Sequence, residues 1–123
     1  MKLLDKILVA LDFSESSQNV ILSAIELAKI FDSTIVPVHI LPDDIVNKKA
    51  KSMLNQIALE KLKETEDLVQ KEGVAIEKPL LIVGVPHQAI VRAALDINAN
   101  LILLGSGETQ KGDTFRLGIT AER

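Results

Sequence analysis

Continuous apolar runs, separated by stretches with helical periodicity, dominate the pattern of this chain. Residues 6–11 (KILVAL) and 34–40 (TIVPVHI) are β-type runs, as expected for strands that are covered on both faces of a parallel sheet. Residues 74–83 and 101–104 predict a third and a fourth strand. Because these strands alternate with helices, the pattern predicts an α/β fold.

Helical patterns fill the intervals between the predicted strands. The first helix begins at Ser14 or at a polar residue just after it, and its inward positions are Val20, Ile21, Ala24, Ile25, Ala28 and Phe31. The second helix is long and ends at Gly73, and its inward positions are Ala50, Met53, Leu54, Ile57, Ala58, Leu62, Leu68 and Val69. The third covers residues 87–97, after a turn with Pro86.

Short connections between these elements predict right-handed crossovers and an open parallel sheet with helices on both faces. We expect the strand order 3-2-1-4, in which the carboxyl ends of the first and fourth strands form the crevice that binds ligands in such sheets. Pro37 conflicts with an inner second strand, because proline cannot donate a hydrogen bond to a neighbouring strand. Either Pro37 lies at a bulge or the pairing there is incomplete.

Composition narrows the class of protein. The 123 residues predict one domain, 1–123, with an aliphatic core, since three Phe are the only aromatic residues. The net charge of −3 and the scarcity of aromatic residues argue against nucleic acid as a partner. The apolar segments are too short to span a membrane. The absence of cysteine and of a secretory signal favours the cytoplasm.

The strongest functional signal lies near the end of the sequence. The apolar run at 101–104 leads into Gly105-Ser106-Gly107-Glu108, and Gly118-Ile119-Thr120 follows after a polar interval. Glycines after a buried strand let backbone N–H groups approach a phosphate, and a helix beginning near Gly118 would add oriented donors. Asp12, at the end of the first strand, either anchors a ribose hydroxyl or a metal-bound phosphate, or caps the first helix.

These residues resemble the universal stress protein family over essentially the whole chain. Residues 6–14 (KILVALDFS) look like the family's first strand and aspartate, residues 38–40 like the end of its second strand, and residues 83–86 like the turn before its third helix. ATP-binding members carry glycine, two residues, glycine, nine residues, glycine and then serine or threonine. Gly105 and Gly118 keep that spacing.

The resemblance implies an adenine-nucleotide alpha hydrolase-like fold and a site for ATP, with Mg²⁺ when ATP is bound. Ile40 would hold an edge of the adenine through its main chain. The implied cofactor-binding residues are Asp12, Ile40, Leu104, Gly105, Gly107, Gly118, Ile119 and Thr120.

Two positions depart from the family's loop. Glu108 stands at the second glycine, and Ile119 stands at the hydroxyl position. A carboxylate about 4 Å from a phosphate repels it by roughly 4 kcal/mol at an effective dielectric constant of about 20, unless the side chain turns outward. Alternatively, the loop is shifted locally by one residue, so that Gly107 takes the role of the second glycine and Thr120 that of the hydroxyl residue.

The sequence contains no motif that pairs a nucleophile with a base and no histidine pair with metal-ligand spacing, so we expect no enzyme. Two functions remain. One is a stress-response regulatory and dimerising module with a degenerate nucleotide-binding loop, and the other is an ATP-dependent switch. His39 is interpreted as a satisfied interior or edge histidine, and His87 as a solvent-exposed one.

The end of the sequence, Ala121-Glu122-Arg123, falls in the first turn of the predicted last helix. By the resemblance, a fifth strand that commonly pairs two subunits is expected but missing, so either domain 1–123 is a C-terminally incomplete fragment or the chain assembles differently. The fourth strand would then be an open edge, and we expect homodimers or higher oligomers.

Overall fold

The computed structural model describes residues 3–105 in full and the backbone of residues 115–119. The elements are β1 (Lys6–Ala10), α1 (Glu15–Phe31), β2 (Thr34–Leu41), α2 (Lys48–Lys71), β3 (Ala75–Ile76), β4 (Leu80–Val83), α3 (Pro86–Ile97), β5 (Leu101–Gly105) and β6 (Phe115–Ile119). The alternation of strands and helices read from the sequence is therefore present up to β5.

The strands form one sheet in the order β3-β2-β1-β5-β6, with β4 also paired to β2. Every pair among β1 to β5 is parallel. With β3 and β4 as the two parts of the predicted third strand, and β5 as the fourth, the predicted fold class and the order 3-2-1-4 are confirmed.

Pro37 explains why the third strand is divided. β3 pairs with Thr34 and Ile35, whereas β4 pairs with residues 38–41, so the side of β2 that faces away from β1 has no partner strand at Pro37. Pro79 lies in the interval between β3 and β4 and also lacks an N–H group. The second alternative, incomplete pairing at Pro37, is correct.

Helices cover both faces of the sheet. On one face, α1 and α2 enclose a cluster that includes Ile7, Val9, Ile25, Ile35 and Leu103. On the other, α3 packs against a cluster that includes Leu8, Val36 and Val38 through Ala93 and Ala94. Neighbouring strand residues thus alternate between two cores, which is why the strands read as uninterrupted apolar runs.

The predicted inward face of α1 is confirmed at five of its six positions, since Val20, Ile21, Ala24, Ile25 and Ala28 are buried. Phe31, the last residue of the helix, is only partly buried. The prediction for α2 is wrong in its first half. Met53, Leu54 and Ile57 are exposed, and burial begins only at Ala58. The apolar spacing does mark one side of a helix, but the sheet lies beside only the second half of α2.

The region after β5 differs from the expected loop and helix. β6 pairs antiparallel with β5, so Gly118 lies opposite Ile102 and Ile119 opposite Leu101. Two expectations are therefore wrong: no helix begins near Gly118, and the fourth strand, β5, is not an open edge, because residues 115–119 make ladder hydrogen bonds with it. None of the helices in the described ranges is long and apolar enough to cross a membrane.

Candidate functional site

The loop between β1 and α1 is organised around Asp12. Its Oδ1 atom accepts hydrogen bonds from the Ser14 N–H at 3.0 Å, the Ser14 hydroxyl at 2.6 Å and the Ser17 hydroxyl at 2.7 Å. All bonds that the described residues donate to this carboxylate fall on Oδ1. Oδ2 thus accepts from none of these described donors, and a ligand hydroxyl is one donor that would suit it.

Ser17 completes this loop from the first turn of α1. Its buried hydroxyl oxygen accepts from the backbone N–H of Asp12 at 2.8 Å and from that of Phe13 at 3.1 Å. Phe13 has a φ of 65°, in the left-handed region that is costly for a residue with a side chain. The hydroxyl of Ser17 thus uses its donor and both lone pairs to hold a strained turn, with Asp12 beyond the end of β1.

The electrostatics of the loop favour an ionised Asp12. Partial burial of the carboxyl by itself raises the pKa, but the hydrogen bonds from Ser14 and Ser17 outweigh burial and lower the pKa below its usual 3.8. Asp12 therefore presents a negative charge at neutral pH.

A cavity of about 190 Å³ opens at the carboxyl edge of the sheet, next to this loop. Strands β1, β2 and β5 and the first turns of α3 form its walls. The lining residues are Ala10, Leu11, Asp12, Val38, His39, Ile40, Pro86, Ile90, Leu104 and Gly105. Four of the predicted site residues, Asp12, Ile40, Leu104 and Gly105, thus meet at one cavity.

The backbone of Ile40 contributes polar groups to this cavity. The Val38 carbonyl accepts from Leu11 N on the β1 side of the strand, whereas the Leu41 carbonyl accepts from Gly84 N on the opposite side. Because backbone groups alternate in direction along a strand, the N–H and carbonyl of Ile40 point to the same side as those of Val38. β1 has ended at that level, so these groups face the cavity.

Gly105, which lines the cavity, is also required by packing. A Cβ atom at this position would lie 2.8 Å from Ser16 Cβ, 3.3 Å from Ser16 C and 3.3 Å from Val20 Cγ2. The end of β5 and the start of α1 therefore touch where a side chain would stand. A glycine that ends an apolar run indicates a close approach, and in this structure α1 approaches it.

The two histidines differ in their surroundings. His39 Nδ1 lies 2.6 Å from the Leu11 carbonyl, and its ring lies against Phe13 with centroids 4.4 Å apart. The carbonyl can only accept, so Nδ1 carries the proton and His39 has the satisfied arrangement predicted for it. His87 is exposed in the first turn of α3, as predicted.

The remaining predicted site residues do not join the cavity in the described structure. Gly118 and Ile119 belong to β6, opposite Ile102 and Leu101 and away from the carboxyl end of β5. Gly107 and Thr120 lie outside the described residues, as do Ser106 and Glu108.

Sequence reasoning missed three contributors to the site. Pro86 and Ile90 form a wall of the cavity, and Ser17 supports Asp12 from outside it. The sequence pattern predicts Pro86 only as the start of a helix and gives Ile90 no special role. The spacing of Ser17 five residues after Asp12, within the first turn of a helix, is the signal that could have revealed its role.

The fold and the cavity together define a class: a parallel α/β domain with a small-ligand cleft at the carboxyl edge of its sheet. A sequence model described as the universal stress protein family matches residues 4–123. The chain belongs to the universal stress protein family, which confirms the resemblance read from its motifs.

Individual proteins agree with this assignment. The chain is 29% identical to a universal stress protein of Methanocaldococcus jannaschii, over 96% of this chain and 74% of the relative. A crystal structure of a universal stress protein family member from Burkholderia pseudomallei superimposes with a TM-score of 0.75 at 26% identity, covering 83% of this chain and 81% of the other. A universal stress protein crystallised in complex with cAMP has a TM-score of 0.65 at 22% identity, covering 80% of this chain and 70% of the other, which shows a shared fold.

Proposed function

We propose that this domain is a non-catalytic stress-response regulator whose cavity takes the nucleoside part of an adenine nucleotide, while its degenerate loop holds a triphosphate poorly. The observation that carries the proposal is the meeting of Asp12, with its ionised carboxylate, and Ile40 at one cavity. An ionised carboxylate suits a ribose hydroxyl, and an N–H beside a carbonyl suits the edge of a purine.

The dimensions of the cavity support a partial rather than a complete nucleotide. A cavity of about 150 Å³ accommodates one benzene ring, whereas sites for larger small molecules start at about 300 Å³. The present 190 Å³ lies between the two. Apolar side chains such as Ile90 and Leu104 supply contacts to a ring, and Asp12 supplies the polar end.

The region after β5 supports weak binding of the triphosphate. Ile119, at the hydroxyl position of the family's loop, pairs with Leu101, four residues back from Gly105. At a strand rise of about 3.3 Å per residue, this is about 13 Å from the edge where the cavity opens. Glu108, at the second glycine position, adds a negative charge to the same loop. A relative's structure contains cAMP, which has one phosphate and therefore needs fewer contacts from that loop than a triphosphate.

Calorimetric titration of the purified chain with adenosine, cAMP and Mg-ATP tests this proposal. We expect adenosine and cAMP to bind at least as tightly as Mg-ATP. Ile90→Trp should abolish binding by filling the cavity, whereas Val91→Trp, at the next and exposed position of α3, should leave it unchanged.

The alternative function, an ATP-dependent switch, predicts a different order of affinities. Mg-ATP bound much more tightly than adenosine by the unaltered chain would establish it and would overturn our proposal. If only Glu108→Gly combined with Ile119→Ser gains tight Mg-ATP binding, the natural loop is degenerate as proposed. No heat with any of the three ligands would reject the nucleoside site.

The absence of catalysis is also part of the proposal. Within the described residues, no group of three or more His, Asp and Glu side chains could hold a metal ion. Asp12 is hydrogen-bonded to two serine hydroxyls, with no histidine between them to act as a base. We include the predicted cytoplasmic location and homo-oligomeric state in the proposal. Phosphate release from ATP above the background rate of an Asp12→Asn variant would contradict the absence of catalysis.

A further inference from the structure

A second cavity, of about 150 Å³, lies between α1 and α2. α1, counted from its N-cap Ser14, and α2 each line it with residues at the spacing i, i+3, i+4 and i+7, which is one side of a helix. These residues run from Ser14 to Ile21 on α1 and from Lys61 to Leu68 on α2. Because each helix connects parallel strands, both run away from the carboxyl edge of the sheet, and Ser14 and Lys61 lie nearer that edge.

Small side chains on the facing sides of the two helices leave this space open. α1 contributes Ser14 and Ser17, and α2 contributes Thr65, where packed helices usually interdigitate larger side chains. A larger residue cannot replace Ser17 without loss of the acceptor for the N–H groups of Asp12 and Phe13. The turn that positions Asp12 therefore requires a small polar residue on the side of α1 that faces α2.

The inner part of the cavity is apolar. Leu11 and Ile21 are 5% and 3% exposed, and the partly buried Phe13 and Leu68 pack against the same core cluster. In other proteins a cavity of about 150 Å³ lined by Leu, Ile and Phe takes up benzene. The size and the inner lining of the present cavity thus fit a single aromatic ring.

The rim of the cavity carries one charge of each sign. Lys61 and Glu64 are exposed, and neither forms an ion pair with another residue in the part of the chain that the structure describes. Gln18 adds an amide, which both donates and accepts. A hydroxyl group can donate to the carboxylate and accept from the ammonium group without adding a charge. A carboxylate on the ring would instead meet Glu64, and an ammonium group would meet Lys61.

We propose that this cavity is a second ligand site and that it takes a monocyclic phenol, with the ring between α1 and α2 and the hydroxyl group at Lys61 and Glu64. The turn after β1 separates it from the nucleoside cavity, since Asp12 lines the nucleoside cavity and Phe13 lines this one. Leu11 is common to the two linings. The proposal does not depend on nucleotide binding.

Phenol itself is the probe for this site. The chain contains no Tyr and no Trp, so the fluorescence of phenol is observed without a protein background. Titration of the unaltered chain without nucleotide should show saturable binding at one site, with a Kd of about 1 mM or below. In competition with phenol, benzene should bind about two- to tenfold more weakly because it lacks the hydroxyl group. Benzoate and benzylamine should also bind more weakly than phenol.

A matched pair of substitutions on α2 tests the location. Thr65→Phe fills the cavity and should weaken phenol binding at least about tenfold, whereas Glu66→Phe, at the next position and outside the lining, should leave it unchanged. Circular dichroism checks that both variants keep their helix content. Methyl NMR of the unaltered chain gives a second measurement. The signals of Ile21 and Leu68 should shift on addition of phenol, and that of Ile90 in the nucleoside cavity should not.

Charge at the rim gives a test with a predicted sign. Glu64→Gln should strengthen the binding of benzoate about two- to fivefold and weaken that of benzylamine, and Lys61→Gln should have the reverse effects. Phenol should change less than either charged ring, because glutamine still donates and accepts hydrogen bonds.

The absence of saturable phenol binding at about tenfold the expected Kd would show that the cavity takes only water, and would overturn the inference. Phenol binding that withstands Thr65→Phe, or shifts at Ile90 without shifts at Ile21, would place the ring elsewhere and also overturn it. Benzoate or benzylamine bound as tightly as phenol would refute the neutral class of ligand. Each of these measurements is made without nucleotide, so the proposed nucleoside site stands or falls by its own test.

Discussion

Replacing Gly105 by alanine tests how the candidate site is built. The added Cβ would lie 2.8 Å from Ser16 Cβ and 3.3 Å from Ser16 C, well inside the usual carbon–carbon contact of about 3.5–4.0 Å. Both atoms belong to the first turn of α1, so no flexible side-chain end can swing aside. Either β5 or the start of α1 has to move by several tenths of an ångström.

The expected cost follows from two opposing effects. Forcing extra volume into a packed contact costs about 1–3 kcal/mol. Alanine also restricts the unfolded chain relative to glycine, which contributes about 0.4–1 kcal/mol in favour of folding where the backbone is compatible. The net expectation for Gly105→Ala is a loss of about 1–2 kcal/mol in the free energy of unfolding.

Gly84→Ala is the matched control. A Cβ at Gly84 would meet only Ala89 Cβ at 3.7 Å, an ordinary contact, so this variant should be neutral or slightly stabilised. Urea unfolding followed by circular dichroism should separate the two variants by roughly 1 M in midpoint, with unchanged slopes. Equal midpoints would refute the conclusion that Gly105 is needed for contact with α1, and would return this glycine to a role in ligand binding alone.

Three further variants test the hydrogen bonds that hold the edge of the sheet. Ser17→Ala leaves the N–H groups of Asp12 and Phe13 without their acceptor and should cost about 1–3 kcal/mol in urea unfolding; a cost no larger than that of Ser14→Ala, with its more exposed hydroxyl, would contradict this role. Asn100→Ala removes the Oδ1 acceptor shared by the N–H groups of Asp5 and Lys6 and should lower the free energy of unfolding by about 1 kcal/mol. Asn98→Ala cannot serve as its control, because the φ of 60° at Asn98 adds backbone strain for alanine. Asp12→Asn tests the pH dependence of stability. Because folding lowers the Asp12 pKa, the stabilisation by its carboxylate is complete above the unfolded value of 3.8 and is lost as pH falls through the folded pKa. The difference in free energy of unfolding between the unaltered chain and the variant should therefore be constant near neutral pH and shrink below 3.8. A difference that grows on acidification would show that the pKa is raised instead.

Much of the fold could be predicted from the residues alone. Uninterrupted β-type runs require cover on both faces, which implies a parallel sheet with helices on each side, and α1 shows its buried stripe at the predicted positions. The meeting of Asp12, Ile40 and Gly105 at one edge also follows, since parallel strands deliver their carboxyl ends to the same side.

Other parts of the site were not predictable from local pattern. The hydrogen bonds of Ser17 depend on the angle between α1 and the turn at Phe13, which has left-handed backbone. Tertiary packing sets that angle, and the local sequence pattern does not. Gly118 lies beside Ile102 because residues 115–119 pair with the edge of β5 instead of forming a loop. The spacing of the glycines contains no information about that edge.

The sequence by itself determined which residues can be buried and in what order the strands and helices follow, because periodicity reports directly on the sidedness of each element. Only the tertiary structure decided what each apolar face touches. The same helical spacing buries Leu62 against the sheet and leaves Leu54 in solvent, since α2 is longer than the strand it packs on. The glycine at 105 likewise signals a close approach in the sequence, and only the packed structure identifies α1 as the approaching element.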